Sequence, residues 1–259
     1  MWGLRHLNPP ITDWQGRSVW LVGASTGIGE ALARALHGLG AKVVVSARKA
    51  DVLMALCEAH PGMTAKPLDV TDSAAVERAA SEIERAQGLD VVVFCAGYYK
   101  PMRAANWSGE GCRQHWQVNV EGWWNVLDVV LPFLRGRGSG HLCAISSVAG
   151  YRALPKALAY GPTKAALSHL MQGLYIDLKA EGIGVSVVSP GFVSTPLTAQ
   201  NDFKMPALIS PDEAAREMIA GWSAGAFEIH FPKRFTWFMK ALSYLPWRWY
   251  FSLMRRLDR

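Results

Sequence analysis

Residues 18–29 read SVWLV followed by GASTGIG, and they decide how the rest of the chain is read. The first five form an apolar run of strand length that leads without a break into glycines. Residues 28–38 then place Ile28, Leu32, Ala35 and Leu36 at helical spacing. The unit is a strand, a tight turn and a helix.

The alternation repeats along the chain. Lys42 to Ala47 is a β-branched run, Asp51 to His60 reads as helix, and Ala65 to Val70 is a weaker strand. A helix is expected from Asp72 to about Ala86, a strand over Leu89 to Cys95, and a long helix over Gly111 to Leu134 with Pro132 near its end. Strands over Gly140 to Ser146 and Gly184 to Ser189 enclose a helix from Tyr160 to Glu181. Continuous apolar strands separated by helices predict a parallel sheet buried on both faces, with right-handed crossovers. The fold class is α/β: one doubly wound, Rossmann-like domain over residues 1–230, with a sheet of about seven strands. Residues 231–259 form a basic, aromatic tail.

Composition narrows the function classes. Half of the 259 residues are hydrophobic and 19% are charged, with no low-complexity tract. The net charge of +6 is concentrated after Lys233, so a broad nucleic-acid surface is not expected. Cys57, Cys95, Cys112 and Cys143 lie far apart with no ligand spacing, which reads as four reduced thiols and no metal. Met1 to Gly16 lacks a signal-peptide core, and no stretch is apolar for the length of a membrane span. The expected location is cytoplasmic.

The turn Gly23-Ala24-Ser25-Thr26-Gly27-Ile28-Gly29 has the placement a dinucleotide needs. Its glycines let backbone approach a pyrophosphate, and the helix N-terminus favours negative charge. The alternative is a turn whose glycines only permit close packing. After the second strand come Ser46-Ala47-Arg48-Lys49, with no acid at the strand tip. A carboxylate there would favour NAD(H), whereas a guanidinium can meet a 2′-phosphate bidentately. NADP(H) is therefore the expected cofactor, NAD(H) the second choice, and a solvated basic loop the plain alternative.

Tyr160-Gly161-Pro162-Thr163-Lys164 puts a phenol and an ammonium one helical turn apart on one face. A nearby ammonium favours the phenolate and would draw the phenol pKa down toward neutrality. Such a pair alone is commonly a surface contact. With its surroundings, residues 16–230 resemble the short-chain dehydrogenase/reductase family. The resemblance implies that Gly23, Gly27 and Gly29, with Ser25, Thr26 and Ile28 between them, cradle the nucleotide. It implies that Asp69 and Val70 lie near the adenine, and that Ala96-Gly97 lets backbone pass the cofactor. Asn119 in Gln117-Val118-Asn119-Val120 would support a relay water, and Ser147 would hold the substrate oxygen. Tyr160 and Lys164 would be the proton donor and its partner. Pro190-Gly191, Val193 and Thr195 would flank the nicotinamide. The family's usual Asn-Asn-Ala-Gly is here Phe94-Cys95-Ala96-Gly97, which removes side-chain amides and is expected to touch stability more than chemistry. The family's oligomers further imply a homodimer or homotetramer built on the helices of Asn119 and Tyr160, where Trp123 and Trp124 fit, though both could equally be ordinary core.

The implied activity is hydride transfer between a nicotinamide and a carbonyl or alcohol. An NAD-linked dehydrogenase and a non-catalytic scaffold on the same fold are the alternatives. Candidate lining residues Tyr98, Tyr99, Val148, Tyr151, Leu154, Phe192, Leu197, Phe203 and Met205 are apolar or aromatic, which suggests a small lipophilic substrate or else ordinary packing. Phe192 to Pro211 is expected to form a lid. In the tail, Phe235, Phe238, Met239, Leu242 and Leu245 follow helical spacing up to Pro246, and Trp249, Leu253, Met254 and Leu257 resume it. With flanking cations, residues 233–259 read either as helices on an anionic membrane surface or as helices packed on protein.

Overall fold

The computed structural model describes residues 6–257; residues 1–5 and the tail's Asp258 and Arg259 lie outside the described residues. Strand β1 (Ser18–Val22) leads through the glycine turn into helix α1 (Gly27–Gly38). Then follow β2 (Lys42–Ser46), α2 (Ala50–Ala59), β3 (Thr64–Ala65), α3 (Ser73–Gln87) and β4 (Val91–Phe94). The second half runs α4 (Gly109–Trp116), α5 (Gly122–Arg137), β5 (Gly140–Ile145), α6 (Tyr160–Leu178), β6 (Ile183–Pro190), α7 (Pro211–Ser223) and β7 (Glu228–Phe231). The chain closes with α8 (Lys233–Ser243) and α9 (Trp247–Leu257).

All seven strands are parallel in the order β3-β2-β1-β4-β5-β6-β7. Both faces are buried, which is why the strands read as continuous apolar runs rather than alternating ones. On one face Leu32 and Leu36 of α1 and Met218 and Trp222 of α7 pack with Val19 and Leu21. On the other, Ile83 of α3, Trp123 and Val130 of α5 and Leu167 and Met171 of α6 pack with Trp20, Val22 and Val92. The chain moves outward from β1 through β3 and returns at β4, so a crevice opens between β1 and β4 at the strands' carboxyl ends.

Two sequence expectations are corrected, and two open points are decided. The strand expected over Ala65 to Val70 is only Thr64–Ala65. It is an edge strand, and Pro67 offers no N–H, though Lys66 and Leu68 still donate to Val45 and Ala47 at 2.9 and 3.0 Å. The long helix over Gly111 to Leu134 is interrupted by a π-helical stretch at Gln117–Glu121, and Pro132 lies inside α5 on its exposed side, where water can serve the released carbonyl. The seventh strand, β7, lies where the sequence shows only a change in composition near residue 230. Of the two tryptophans read as interface or core, Trp123 is core, fully buried against Phe94 with ring centroids 5.2 Å apart, while Trp124 faces outward beside Trp116.

The tail folds back on the body. Met239, Leu242, Tyr250 and Met254 are buried with Val148, so much of the apolar stripe read from the sequence is spent on the protein's own surface. Among the described residues, no helix is long and apolar enough to cross a membrane, and no group of three His, Cys, Asp or Glu could hold a metal.

Candidate active site

The turns after β1, β2, β4, β5 and β6 converge on a cleft of about 400 Å³ at the crevice. Gly23, Ser25, Thr26, Gly27, Ile28 and Gly29 line it from β1, and Arg48 from β2. Asp69 and Val70 follow β3, Ala96, Gly97 and Tyr98 follow β4, and Ser147 follows β5. Tyr160 and Lys164 enter from the first turn of α6, with Pro190, Gly191, Val193 and Thr195 from beyond β6. Of the nine apolar candidates only Tyr98 and Leu197 line it: Val148, Tyr151 and Leu154 pack with the tail, Tyr99, Phe192, Phe203 and Met205 stand outside the lining, and so does Asn119.

The glycine turn is fitted to its path by close contacts. A Cβ at Gly29 would sit 2.3 Å from the Gly23 carbonyl oxygen, and one at Gly27, whose φ is +64°, would sit 2.8 Å from Thr195 Cγ2. Neither position tolerates a side chain without the turn opening. Thr26 gives α1 no side-chain cap, so the first-turn N–H groups are available to an anion in the cleft. Arg48 is exposed at the rim. A volume of this size, uncapped N–H groups and a rim guanidinium together fit a phosphorylated dinucleotide.

Two buried contacts hold the chemical group in place. Lys164 is 3% exposed, and its Nζ donates to the Ile145 carbonyl at 2.8 Å. Ser146 Oγ donates to the Lys164 carbonyl at 2.7 Å, which fastens α6 to the end of β5. The Lys164 ammonium lies 5.5 Å from the Tyr160 ring centre. Burial lowers the Lys164 pKa to about 8. Tyr160 keeps some surface open to the cleft, yet burial pushes its phenol above the usual range, opposed by a hydrogen bond with Ser147. Burial thus works against the lowering expected from the nearby ammonium.

Asn119 sits at the π-helical stretch, fully buried. Its Oδ1 accepts from Tyr98 N–H at 2.6 Å, and its Nδ2 donates to the Tyr98 carbonyl at 3.0 Å and to Thr163 Oγ1 at 2.9 Å. The amide thus binds the β4 turn to α6. A Cβ on Gly97 would lie 3.8 Å from both Asn119 Oδ1 and Lys164 Nζ, so the two groups flank the same point. At the altered Phe94-Cys95 pair, Phe94 is buried on Trp123, which replaces amide bridging with aromatic packing.

Several contacts escaped the sequence reading. Tyr99 packs edge-on against Tyr160 at 5.1 Å, and its hydroxyl donates to Asn201 Oδ1 at 3.0 Å. This latches the 192–211 segment over the site, helped by an ion pair between Lys156 and Asp202. Tyr151 turns its hydroxyl to Glu228 Oε1 at 2.5 Å. Phe192 lies between Phe203, edge-on, and Phe235, tilted, each 5.6 Å away. These pairs are far enough apart in the chain to carry no periodic signal.

Residues 17–205 match the family model for short chain dehydrogenase. An uncharacterized oxidoreductase of Myxococcus xanthus is 37% identical over 227 residues, covering 86% of this chain and 90% of its own. A short-chain dehydrogenase from Streptomyces avermitilis superposes with a TM-score of 0.77 at 25% identity, covering 87% of this chain and 91% of its own. A structure described as ribose-5-phosphate isomerase from Brucella melitensis superposes with a TM-score of 0.78 at 26% identity, over 84% of this chain and 92% of its own. One architecture thus carries differently described activities, and fold likeness alone does not choose among them. The family match does, because it runs through both the glycine turn and the Tyr160–Lys164 turn and agrees with relatives described as oxidoreductases along most of the chain. The chain therefore belongs to the short-chain dehydrogenase family of oxidoreductases.

Proposed function

We propose that this protein is an NADP(H)-dependent oxidoreductase that interconverts an alcohol and a ketone or aldehyde on a small lipophilic substrate. The observation that carries the reading is the convergence of Ser147, Tyr160 and Lys164 on a cleft that also takes in the uncapped N-terminus of α1 and Arg48. A nicotinamide dinucleotide bound there would supply or accept the hydride. The residues to hold it are the 23–29 turn and Arg48 at the phosphates, Asp69 and Val70 at the adenine end, and Lys164, Gly191 and Thr195 at the nicotinamide end.

In reduction, Ser147 donates a hydrogen bond that orients the carbonyl oxygen. Tyr160 gives that oxygen its proton as the carbon gains a hydride, which yields the alcohol and leaves a phenolate. The Lys164 ammonium stabilises that charge, and a proton from solvent restores the phenol. Tyr99 and the 192–211 segment exclude water above it.

The same reading takes in the partners. Trp116 and Trp124, exposed as an edge-on pair, support a homodimer or homotetramer. A lipophilic substrate partitions into bilayers, so the reading includes a cytoplasmic protein in peripheral contact with a membrane through residues 233–259.

The test is a titration with NADPH and NADH followed by nicotinamide fluorescence, then a screen of lipophilic carbonyls. NADPH binding with turnover that Tyr160→Phe reduces by about a hundredfold or more supports the proposal. Normal turnover in Tyr160→Phe, or binding of neither cofactor, overturns it.

A further inference from the structure

The inward side of α8 and α9 is spent on the body, and their outward side is left with an unusual surface. Residues 233–257 hold six cations and no acid; Lys240 is paired with Glu228, and the other five are exposed. Trp237, Phe238, Trp247, Trp249 and Phe251 are between 50% and 69% exposed. Large apolar side chains scattered singly are ordinary, but five gathered on two short helices mark an interaction surface. At 3.6 residues per turn, Arg248, Arg255 and Arg256 of α9 fall between Phe251 on one edge and Trp249 on the other. Beside Arg255 a mainly apolar groove of about 500 Å³ opens between α9 and residues 153–155, lined by Ala153, Pro155, Phe251 and Met254.

We propose that this outward face docks on an anionic phospholipid bilayer. The guanidinium groups meet phosphate headgroups, the tryptophans lie at the interface, and one acyl chain enters the groove at Phe251. The inference rests on the membrane contact proposed above and adds which side of the tail meets lipid and what lipid charge it requires. Charge complementarity selects the occupant: a surface of cations with no acid among them is matched by an anionic leaflet and not by a neutral one. Tryptophan at the border of a cationic helix face suits the headgroup region, where a ring is half wet.

The docked face is fastened to the catalytic loop. Arg152, five residues after Ser147, stands 4.0 Å from the ring centres of both Trp247 and Tyr250. Its Nη1 donates to the carbonyls of Leu242, Ser243 and Leu245 at 3.1, 3.0 and 2.6 Å. Phe235 packs on Phe192 beside the cleft. Docking by this face therefore sets the substrate side of the cleft next to the phase in which an apolar substrate dissolves.

The full chain is sedimented with vesicles of phosphatidylcholine and of phosphatidylcholine mixed with phosphatidylglycerol, at low and high salt. Arg255→Gln/Arg256→Gln and Trp249→Ala/Phe251→Ser are run alongside, with unfolding midpoints measured to confirm intact folds. The expected result is sedimentation with the anionic vesicles alone, lost at high salt and weakened about tenfold or more by the arginine pair. The aromatic pair weakens it as well, and inorganic phosphate does not release the protein. Equal sedimentation with neutral vesicles, release by inorganic phosphate, or a wild-type dimer that Trp249→Ala/Phe251→Ser dissolves overturns the inference. Variants that sediment like wild type overturn this face while leaving a membrane contact elsewhere, whereas absence of any sedimentation overturns both. None of these readouts requires turnover, so the redox reading is tested separately.

Discussion

Asn119 holds Tyr98 through both main-chain groups, its Oδ1 taking the N–H at 2.6 Å and its Nδ2 giving to the carbonyl at 3.0 Å. One buried amide thereby fixes the segment after β4 against α6, where Nδ2 also reaches Thr163. Substituting Asn119→Leu leaves two buried main-chain groups without that partner. The expected loss is about 2–4 kcal/mol in urea unfolding. Because the amide positions the 97–98 backbone rather than the reacting atoms, turnover falls more than nucleotide affinity.

Arg48 is predicted to discriminate between the cofactors. Arg48→Ala should weaken NADPH binding about 10- to 100-fold, the range for a charge-assisted hydrogen bond, and leave NADH binding unchanged. Parallel fluorescence titrations check this, and an equal loss for both cofactors would remove the 2′-phosphate role.

Gly29→Ala should disable the nucleotide turn. The new methyl would sit 2.3 Å from the Gly23 carbonyl oxygen, so the turn must open. Expected outcomes are loss of dinucleotide binding by titration and a stability loss of about 1–3 kcal/mol by chemical unfolding. Gly38→Ala, at the end of α1 with nothing within 4 Å of its would-be Cβ, serves as the neutral control.

Stability should fall in mild acid through His141. Burial lowers its pKa to about 4, and its Nε2 is paired with Ser186 Oγ at 2.9 Å. Between its ordinary 6.5 and about 4 the unfolded chain binds a proton that the folded chain refuses. The contribution is thus complete above pH 6.5 and is lost as pH falls through that window, by about 3 kcal/mol in total. His141→Gln should flatten the slope of unfolding free energy over this range. An unchanged slope would assign the acid sensitivity elsewhere, to His230 for instance, whose pKa burial also lowers to about 4.

Much of this architecture could be read before any coordinates. Runs such as Val43-Val44-Val45 and Val91-Val92-Val93, separated by amphipathic helices, require a parallel sheet covered on both faces. The glycines before α1 and the one-turn spacing of Tyr160 and Lys164 are local patterns, and local patterns survive without knowledge of what lies across the fold. The glycine turn and the Tyr160–Lys164 pair both line the cleft, whereas of the nine apolar candidates only Tyr98 and Leu197 do.

Tertiary structure decided the matters that depend on distant partners. Nothing within Glu228–Phe231 distinguishes a seventh strand until β6 offers its edge. At the π-helical stretch, the Asn119 amide meets Tyr98 and Thr163, partners 21 and 44 residues away in the chain. The spacing of Tyr160 and Lys164 reports the nearby ammonium but not the burial that pushes the phenol the other way. In the tail, periodicity located the apolar stripe, but only packing on Val148 determined that Met239 and Met254 face the body while Trp249 faces out. A helix's pattern specifies that it has two faces; which one is covered depends on contacts between residues far apart in the chain, and those contacts have no period to read.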